Sequence, residues 1–258
     1  MEPISACIIV LNEEKNIRDC LESVKWADEI VVVDAFSEDQ TVSICQEYTD
    51  RVFQRKWTGF YDQVSFVFQS ARNSWILYIE ADERLSSELK EEIQREFSLE
   101  KISGDGFSVP RLSHSLGRWI YHGGWYPDRL NRIFRKEKLS LIGPDPHLQM
   151  RIQGPVKKLE GDLLHYTGPN VSWILRKTDN YADAFAQAKM EEGKTCRLWD
   201  LIVRPPMRFF KSYFFKAGFL DGKQGFLLAI LGSFYVFTKY IKLWELEQFQ
   251  RSSKGETE

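Results

Sequence analysis

The sequence predicts an α/β fold: a mostly parallel sheet, an antiparallel extension of it, and a helical C-terminal segment rich in aromatic and basic residues. Three observations carry this reading. Apolar runs alternate with helix-spaced segments through the first 80 residues, the runs become short and punctuated by Gly and Pro from Gly104, and rings and cations interleave from residue 207. Alternation of strand and helix implies βαβ units and a parallel sheet, whereas short runs between turn residues imply antiparallel pairing.

Ile4 to Leu11 is a continuous apolar run, followed by a polar break and by Ile17, Leu21 and Val24 at helical spacing, so a strand and a helix open the chain. Glu29 to Asp34 is a second strand, and Ser37 or Asp39 is placed to cap a helix from about Gln40 to Tyr48. Arg51 to Gln54 reads as a short third strand, Tyr61 to Ala71 as a helix, and Trp75 to Ile79 as a fully buried fourth strand with a helix over Ser86 to Phe97 behind it. Gly106 to Pro110 and Asn131 to Phe134 read as strands of the extension. Val171 to Glu192 reads as a helix with Ile174, Leu175, Tyr181, Ala184, Phe185 and Ala188 roughly on one face, and Arg204-Pro205-Pro206 as a break before the final segment. The expected division is 1–103 for the α/β half, 104–170 for the second half of the same domain, and 171–251 for the C-terminal helical segment.

A parallel sheet of this kind binds ligands at the carboxyl ends of its strands. The carboxylates gather there: Glu13 and Glu14 after the first strand, Asp34 after the second, Glu80, Asp82 and Glu83 after the fourth. Oxygen ligands at a strand end can hold a hard cation, which in turn can neutralise a diphosphate. Helix caps explain each cluster separately, and for Glu80 to Glu83 an acidic N-cap is the plain alternative, but caps need not converge on one rim.

Composition narrows the class. With 258 residues, 43% of them hydrophobic and 28% charged, the chain can bury an ordinary core, which excludes a disordered protein. The net charge of -2 hides an asymmetry: residues 1–103 carry 11 Lys/Arg against 21 Asp/Glu, whereas 204–242 carry 7 against 1. An acidic first half makes nucleic acid a poor partner, and the basic segment suits an anionic membrane surface. Cys7, Cys20, Cys45 and Cys196 show no metal or redox spacing, as expected in a reducing compartment. Ile4 to Leu11 runs directly into Asn12-Glu13-Glu14 without the pattern of a signal peptide, so the expected location is the cytoplasm.

Residues 207–244 combine twelve aromatic side chains, among them Phe209, Phe214, Phe215, Tyr240 and Trp244, with Arg208, Lys211, Lys216, Lys223, Lys239 and Lys242. The uncharged run Gly225 to Thr238 has 14 residues, fewer than the roughly 20 that cross a bilayer. A helix lying in the membrane interface fits better, with rings at headgroup depth and cations on anionic lipid. Packing on the preceding α/β domain, or a dimer contact, is the alternative.

Several motifs together resemble a known family. Val10-Leu-Asn-Glu-Glu14, Trp26 to Asp34, Ser37-x-Asp-x-Thr41, Glu80-Ala-Asp-Glu83, Gly124-Trp-Tyr-Pro-Asp128, Gly161 to Tyr166 and Gly218-Phe-Leu-Asp-Gly-x-x-Gly-Phe226 are similar in order and spacing to glycosyltransferase family 2, in its bacterial lipopolysaccharide inner-core branch, from about Ile4 to Trp244. The resemblance implies a GT-A, Rossmann-like fold and inverting transfer from a nucleotide-sugar donor, UDP-linked, to a lipopolysaccharide-core-like or other lipid-linked glycan, with Mg2+ or Mn2+. It implies that Asn12 and Glu14 line the nucleotide cleft, that Asp34 contacts the base, and that Asp82 holds the ion on the diphosphate. Glu80 departs from the Asp common at the first motif position, leaving ribose or metal contact open for it, and His147-Leu148 departs from a His-Glu of many relatives. Residues 207–244 are then a peripheral contact with the inner face of the cytoplasmic membrane.

Inversion needs a base for the acceptor hydroxyl. Asp128 is the candidate, on a turn stiffened by Pro127 beside rings that could stack on a sugar; its alternative is a turn carboxylate paired with Arg129 or Arg132. His147 and His165 compete as base or as a further metal ligand. Arg111, Arg118 and Arg132 suit phosphorylated acceptor groups. Rival readings are a noncatalytic sugar-nucleotide or lipid-binding module on the same fold, a polyprenyl-phosphate-directed enzyme, and a nucleotidyltransferase, the last opposed by the lack of a Gly-rich, Lys-bearing loop after the first strand.

Overall fold

Strand β1 (Ile4–Val10) leads to helix α1 (Ile17–Val24), whose Ile17, Cys20, Leu21 and Val24 recur at helical spacing and are all buried. A computed structural model describes residues 2–143 and 148–255, with side chains to residue 250. The chain divides into two units, Met1–Leu112 with Pro127–Tyr166 and Ser113–Tyr126 with Thr167–Glu258.

In the first unit the alternation continues through β2 (Glu29–Asp34), α2 (Thr41–Gln46), β3 (Val52–Gln54), α3 (Phe60–Ser70) and β4 (Trp75–Glu80). Then come β5 (Glu83–Leu85), α4 (Ser87–Ser98) and β6 (Gly106–Ser115), whose last three residues belong to the second unit. Strand β7 (Arg118–Ile120) belongs to the second unit, where it pairs with the last residues of β6. The first unit is completed by β8 (Asp128–Arg135), β9 (Leu139–Ile142), β10 (Gln149–Ile152), β11 (Val156–Lys158) and β12 (Leu163–Tyr166).

The main sheet runs β3-β2-β1-β4-β8-β6-β12-β5, with β9 and β10 as a separate antiparallel pair. Strands β3, β2, β1 and β4 are parallel, and β8 joins antiparallel to β4 and β6. Side chains alternate across a strand, and here parity sorts the core into two layers. Ile4, Ala6, Ile8, Trp75, Leu77 and Ile79 pack with α1 and α4 on one face. Cys7, Val31, Val33, Ile76 and Tyr78 pack with Val64, Val67 and Phe68 of α3 on the other. Strand β1 sits where the order reverses between β2 and β4, the place at which open α/β sheets leave a crevice.

Two local expectations change. Glu83–Leu85 is a strand rather than the start of a helix cap, because it pairs with β12 with Glu83 opposite His165. The cap of α4 is Ser86, whose Oγ accepts from the Leu89 amide at 3.1 Å. Helix α2 is entered at Gln40 without a side-chain cap; Asp39 instead accepts from the Thr41 amide at 2.9 Å, and Ser37 is used elsewhere.

In the second unit α5 (Val171–Glu191) packs on α8 (Gly222–Gly255), with α6 (Leu198–Ile202) and α7 (Arg204–Phe210) between them in sequence. The residues α5 buries are Thr178, Ala182 and Ala186, not the larger side chains of the expected face. Phe185 and Tyr240 meet edge to face at 5.4 Å, and the Lys239 ammonium lies 4.5 Å from the Phe185 ring centre. Pro205 and Pro206 open α7, where their missing amides cost nothing. A π-helical turn, Lys211–Phe215, and a 3-10 turn, Gly218–Asp221, lead into α8. A Cβ at Gly225 would collide with the Gly218 carbonyl oxygen, so the close approach of the first turn of α8 to the 3-10 turn requires glycine. The stretch Gly218–Gln250 is long and apolar enough to cross a membrane by length and composition. Cys7, Cys20 and Cys45 are buried free thiols.

Candidate active site

The loops that follow β1 and β2 are knitted together by side chains answering backbone amides. Asn12, held at a φ of 54°, donates its amide to Ser37 Oγ at 2.8 Å, and its Oδ1 accepts from the Glu38 amide at 2.8 Å. The Glu13 amide donates to Thr41 Oγ1 at 2.8 Å, and the Glu14 amide to Asp39 Oδ2 at 3.2 Å. Glu14 Oε2 accepts from the Gln40 amide at 3.2 Å. Asp34, at the end of β2, is fully buried; its Oδ2 accepts from the Ser37 amide at 3.0 Å and from Gln54 Nε2 at 3.1 Å. Three of the expected nucleotide residues thus stand on one rim, with Asp34 bracing the loop from below while Asn12 and Glu14 hold it from the side. Burial pushes the Glu13 carboxyl upward, and the neighbouring Asp82 and Asp39 charges add to the rise.

Beyond the end of β4, Asp82 Oδ2 lies 3.3 Å from His165 Nε2. The Tyr166 amide donates to the Asp82 carbonyl at 2.9 Å, which ties this turn to β12. The pairing of β5 with β12 is what carries His165 to the acidic motif across some 80 residues of chain. An aspartate oxygen and an imidazole nitrogen form a suitable partial donor set for Mn2+ or Mg2+, which commonly keep one or two protein ligands and complete their shells with phosphate and water. Among the described residues no group of three His, Cys, Asp or Glu side chains converges.

Glu80, expected beside them as a metal ligand, does not join that pair. It is the last residue of β4 and shares the parity of Tyr78, and its Oε1 accepts from Arg132 Nη2 at 3.0 Å. The same Nη2 reaches Glu83 Oε1 at 2.6 Å, and Glu83 Oε2 accepts the Glu80 amide at 3.0 Å. Glu83 is wholly buried, and the Arg111 guanidinium stands 3.5 Å from it. Burial raises the Glu83 carboxyl against the lowering effect of Arg132. The Arg132 guanidinium is also 4.8 Å from the Tyr78 ring centre.

Asp128, the expected base, is a carboxylate held by an arginine, but by Arg111 rather than by Arg129 or Arg132. Arg111 Nη2 and Nε both donate to Asp128 Oδ2, at 2.6 and 3.1 Å. The Asp128 side chain is 43% exposed. His147 lies outside the described residues. Arg118, on β7 of the second unit, is exposed and donates weakly to the Leu220 carbonyl at 3.4 Å.

The sequence reading passed over the pairing of Glu83 with Arg132 and the face presented by Tyr78. A signal existed: Arg132 falls within the short strand predicted over Asn131 to Phe134, beside Ile133 and Phe134, and an arginine in a buried strand requires a buried partner.

The family described as glycosyl transferase family 2 matches residues 5–159. The lipopolysaccharide core biosynthesis glycosyltransferase LpsC of Rhizobium meliloti (strain 1021) is 30% identical over 94% of this chain and 92% of its own. An uncharacterized glycosyltransferase of Rickettsia felis is 29% identical over 99% of this chain and 93% of its own. Among solved structures, glucosyl-3-phosphoglycerate synthase from Mycobacterium tuberculosis with phosphoglyceric acid superimposes at a TM-score of 0.51, with 14% identity over 73% of this chain and 79% of its own. The same enzyme with Mn2+ and UDP-glucose gives 0.50, with 13% identity over 73% and 78%. At these identities the likeness speaks for the fold alone.

Proposed function

Because this chain belongs to glycosyl transferase family 2, we propose that it moves a sugar, with inversion, from a UDP-linked donor to a lipopolysaccharide-core-like or other lipid-linked glycan. The observation that carries this reading is the pair Asp82 and His165, 3.3 Å apart at the rim where the β1 and β4 loops meet. The likeness to a lipopolysaccharide core glycosyltransferase along nearly the whole chain supports the acceptor class.

Asp82 and His165 would hold Mg2+ or Mn2+, whose charge, when bound, offsets that of the departing nucleoside diphosphate. The chain's own residues do the rest. Asn12, Glu14 and Asp34 fix the two loops of the nucleotide cleft, so that little ordering is left to the moment of binding. The acceptor oxygen attacks the anomeric carbon from the side opposite the diphosphate. The bond to the diphosphate breaks with its electron pair, and the acceptor proton passes to a base. Asp128 is the base we propose, acting through Oδ1 while Arg111 keeps Oδ2.

Peripheral attachment to the inner face of the cytoplasmic membrane completes the reading. Phe214, Phe215, Phe219 and Leu220 are exposed, Phe215 to 85%, beside exposed Arg208, Lys211, Lys216 and Lys223. Asp221, the single carboxylate in 204–242, is 1% exposed, so no exposed acid from that stretch opposes an anionic surface.

The test is thermal denaturation of the full chain with a panel of nucleotide sugars and MnCl2, followed by donor turnover with the best of them. The true donor raises the melting temperature in a concentration-dependent way. A flat response across every nucleotide removes the donor site from this reading.

A further inference from the structure

The motif Gly218 to Phe226 has no part in the chemistry above, yet it buries a carboxylate. Asp221 ends the 3-10 turn Gly218–Asp221, between Ala217 at a φ of 54° and Gly222 at 62°, and is 1% exposed. Its partners all come from one loop of the same unit. Oδ2 accepts from the His122 amide at 2.7 Å, while Oδ1 accepts from the Tyr121 amide at 3.4 Å and meets His122 Nδ1 at 3.1 Å. The loop is pinned again just beyond. There the Gly123 amide donates to the Lys216 carbonyl at 2.8 Å, and Ser212 Oγ donates to the Gly123 carbonyl at 3.0 Å.

The amide bonds already fix the backbone, so the remaining bond to Asp221 fixes the imidazole. A carboxylate only accepts, which assigns the ring proton to Nδ1 and makes Nε2 of the neutral ring an acceptor. Among the described residues no other group bonds to this ring, and Nε2 is not one of the polar atoms sealed from solvent without a partner. An oriented acceptor nitrogen is therefore open to a guest.

That guest must donate, which a phosphate or carboxylate oxygen without a proton cannot do. Tyr121 is 47% exposed and its ring meets that of Tyr126 edge to face at 5.8 Å, so aromatic surface lies on the same loop as the imidazole. A sugar offers both a hydroxyl donor and a carbon-hydrogen face for such rings. Two residues beyond Tyr126 the chain reaches Asp128, the proposed base.

The geometry points to His122 as an acceptor-binding residue, whose Nε2 accepts a hydrogen bond from a hydroxyl of the acceptor saccharide, and to Asp221 as the positioning residue that holds the ring in that tautomer. The assignment rests on the sugar-transfer reading above and deepens it by naming a residue that reads the acceptor.

The tautomer is read first, from long-range proton–nitrogen spectra of the full-length protein in mildly alkaline buffer. His122 carries its proton on Nδ1 in the wild type and on Nε2 in Asp221→Asn, whose amide donates to Nδ1 instead. Binding is then measured to detergent-dispersed lipopolysaccharide truncated to its inner core, and to lipid A, which lacks the core sugars. His122→Ala and Asp221→Asn each lower affinity for the core-bearing form by about tenfold, as loss of one well-made hydrogen bond requires. Lipid A binding and stabilisation by UDP with MnCl2 stay at the wild-type values. His122→Ala, at a half-exposed position, decides the matter should Asp221→Asn not fold. Wild-type affinity for the core-bearing form in either folded variant overturns the proposal. So does a proton on Nε2 in the wild type, or equal binding of the wild type to both lipids. The UDP response judges the donor reading separately: it persists where only the His122 assignment is wrong and is absent where the transfer reading itself is wrong.

Discussion

Arg132 and Glu83 meet at 2.6 Å with their side chains 5% and 0% exposed, an ion pair sealed beneath the mouth of the candidate site. Two charges withdrawn from water persist only as a pair, and removing one leaves the other stranded. Glu83→Gln or Arg132→Met is therefore expected to destabilise the fold by about 3–5 kcal/mol in urea denaturation. The double replacement by apolar residues of similar volume should recover much of that loss. A cost under about 1 kcal/mol for each single change would mean that the pair is solvated in solution rather than sealed from water.

Asp82→Ala should leave the fold intact and lower donor turnover by about 10²-fold or more, the usual loss when a group stabilising developing charge is removed. His165→Ala should weaken Mn2+ by about tenfold or more, read as a shift of the metal titration at fixed UDP. Retained metal-dependent turnover in Asp82→Ala would eliminate the assignment.

For Asp128 the expected split is between binding and chemistry. Asp128→Asn should keep UDP stabilisation at the wild-type value while the chemical step slows by about 10²- to 10⁴-fold, the range of positioned proton transfer. Because Arg111 also loses its partner, Arg111→Gln is measured beside it. A rate defect seen only in Asp128→Asn identifies the base, whereas equal defects point to loop positioning. Normal turnover by Asp128→Asn ends its candidacy.

The parallel half of the sheet was legible because its strands are buried on both faces, and so Ile4 to Leu11, Glu29 to Asp34 and Trp75 to Ile79 stand out as apolar runs. The rim was legible for the same reason: carboxylates that end such runs must lie at the edge of the sheet. Strand β5 was not legible, since three residues carry no period and Glu83 reads as acidic whether it caps a helix or faces an arginine. The destination of Glu80 was equally hidden, because its partner Arg132 arrives from 52 residues away through strand pairing that no local pattern encodes. Helix α5 misled because apolar bulk marks a core face only where room exists, and close packing against α8 selects Ala182 and Ala186 instead.

The C-terminal segment offers the last prediction. Phe214 and Phe215 are 53% and 85% exposed, and exposed rings beside lysines without exposed acids are suited to an anionic bilayer surface. Each basic residue near such a surface contributes about 1 kcal/mol, which corresponds to about a fivefold change in partitioning. Lys211→Glu and Lys223→Glu should each weaken binding to phosphatidylglycerol vesicles by at least that factor, and salt should weaken the wild type in the same direction. Phe214→Ser with Phe215→Ser should reduce binding even at low salt, because the buried apolar area is lost rather than the attraction. Cosedimentation with vesicles of graded anionic content reads both effects. Equal recovery of wild type and all variants with neutral and anionic vesicles would leave the aromatic face to a protein partner or a second copy of the chain.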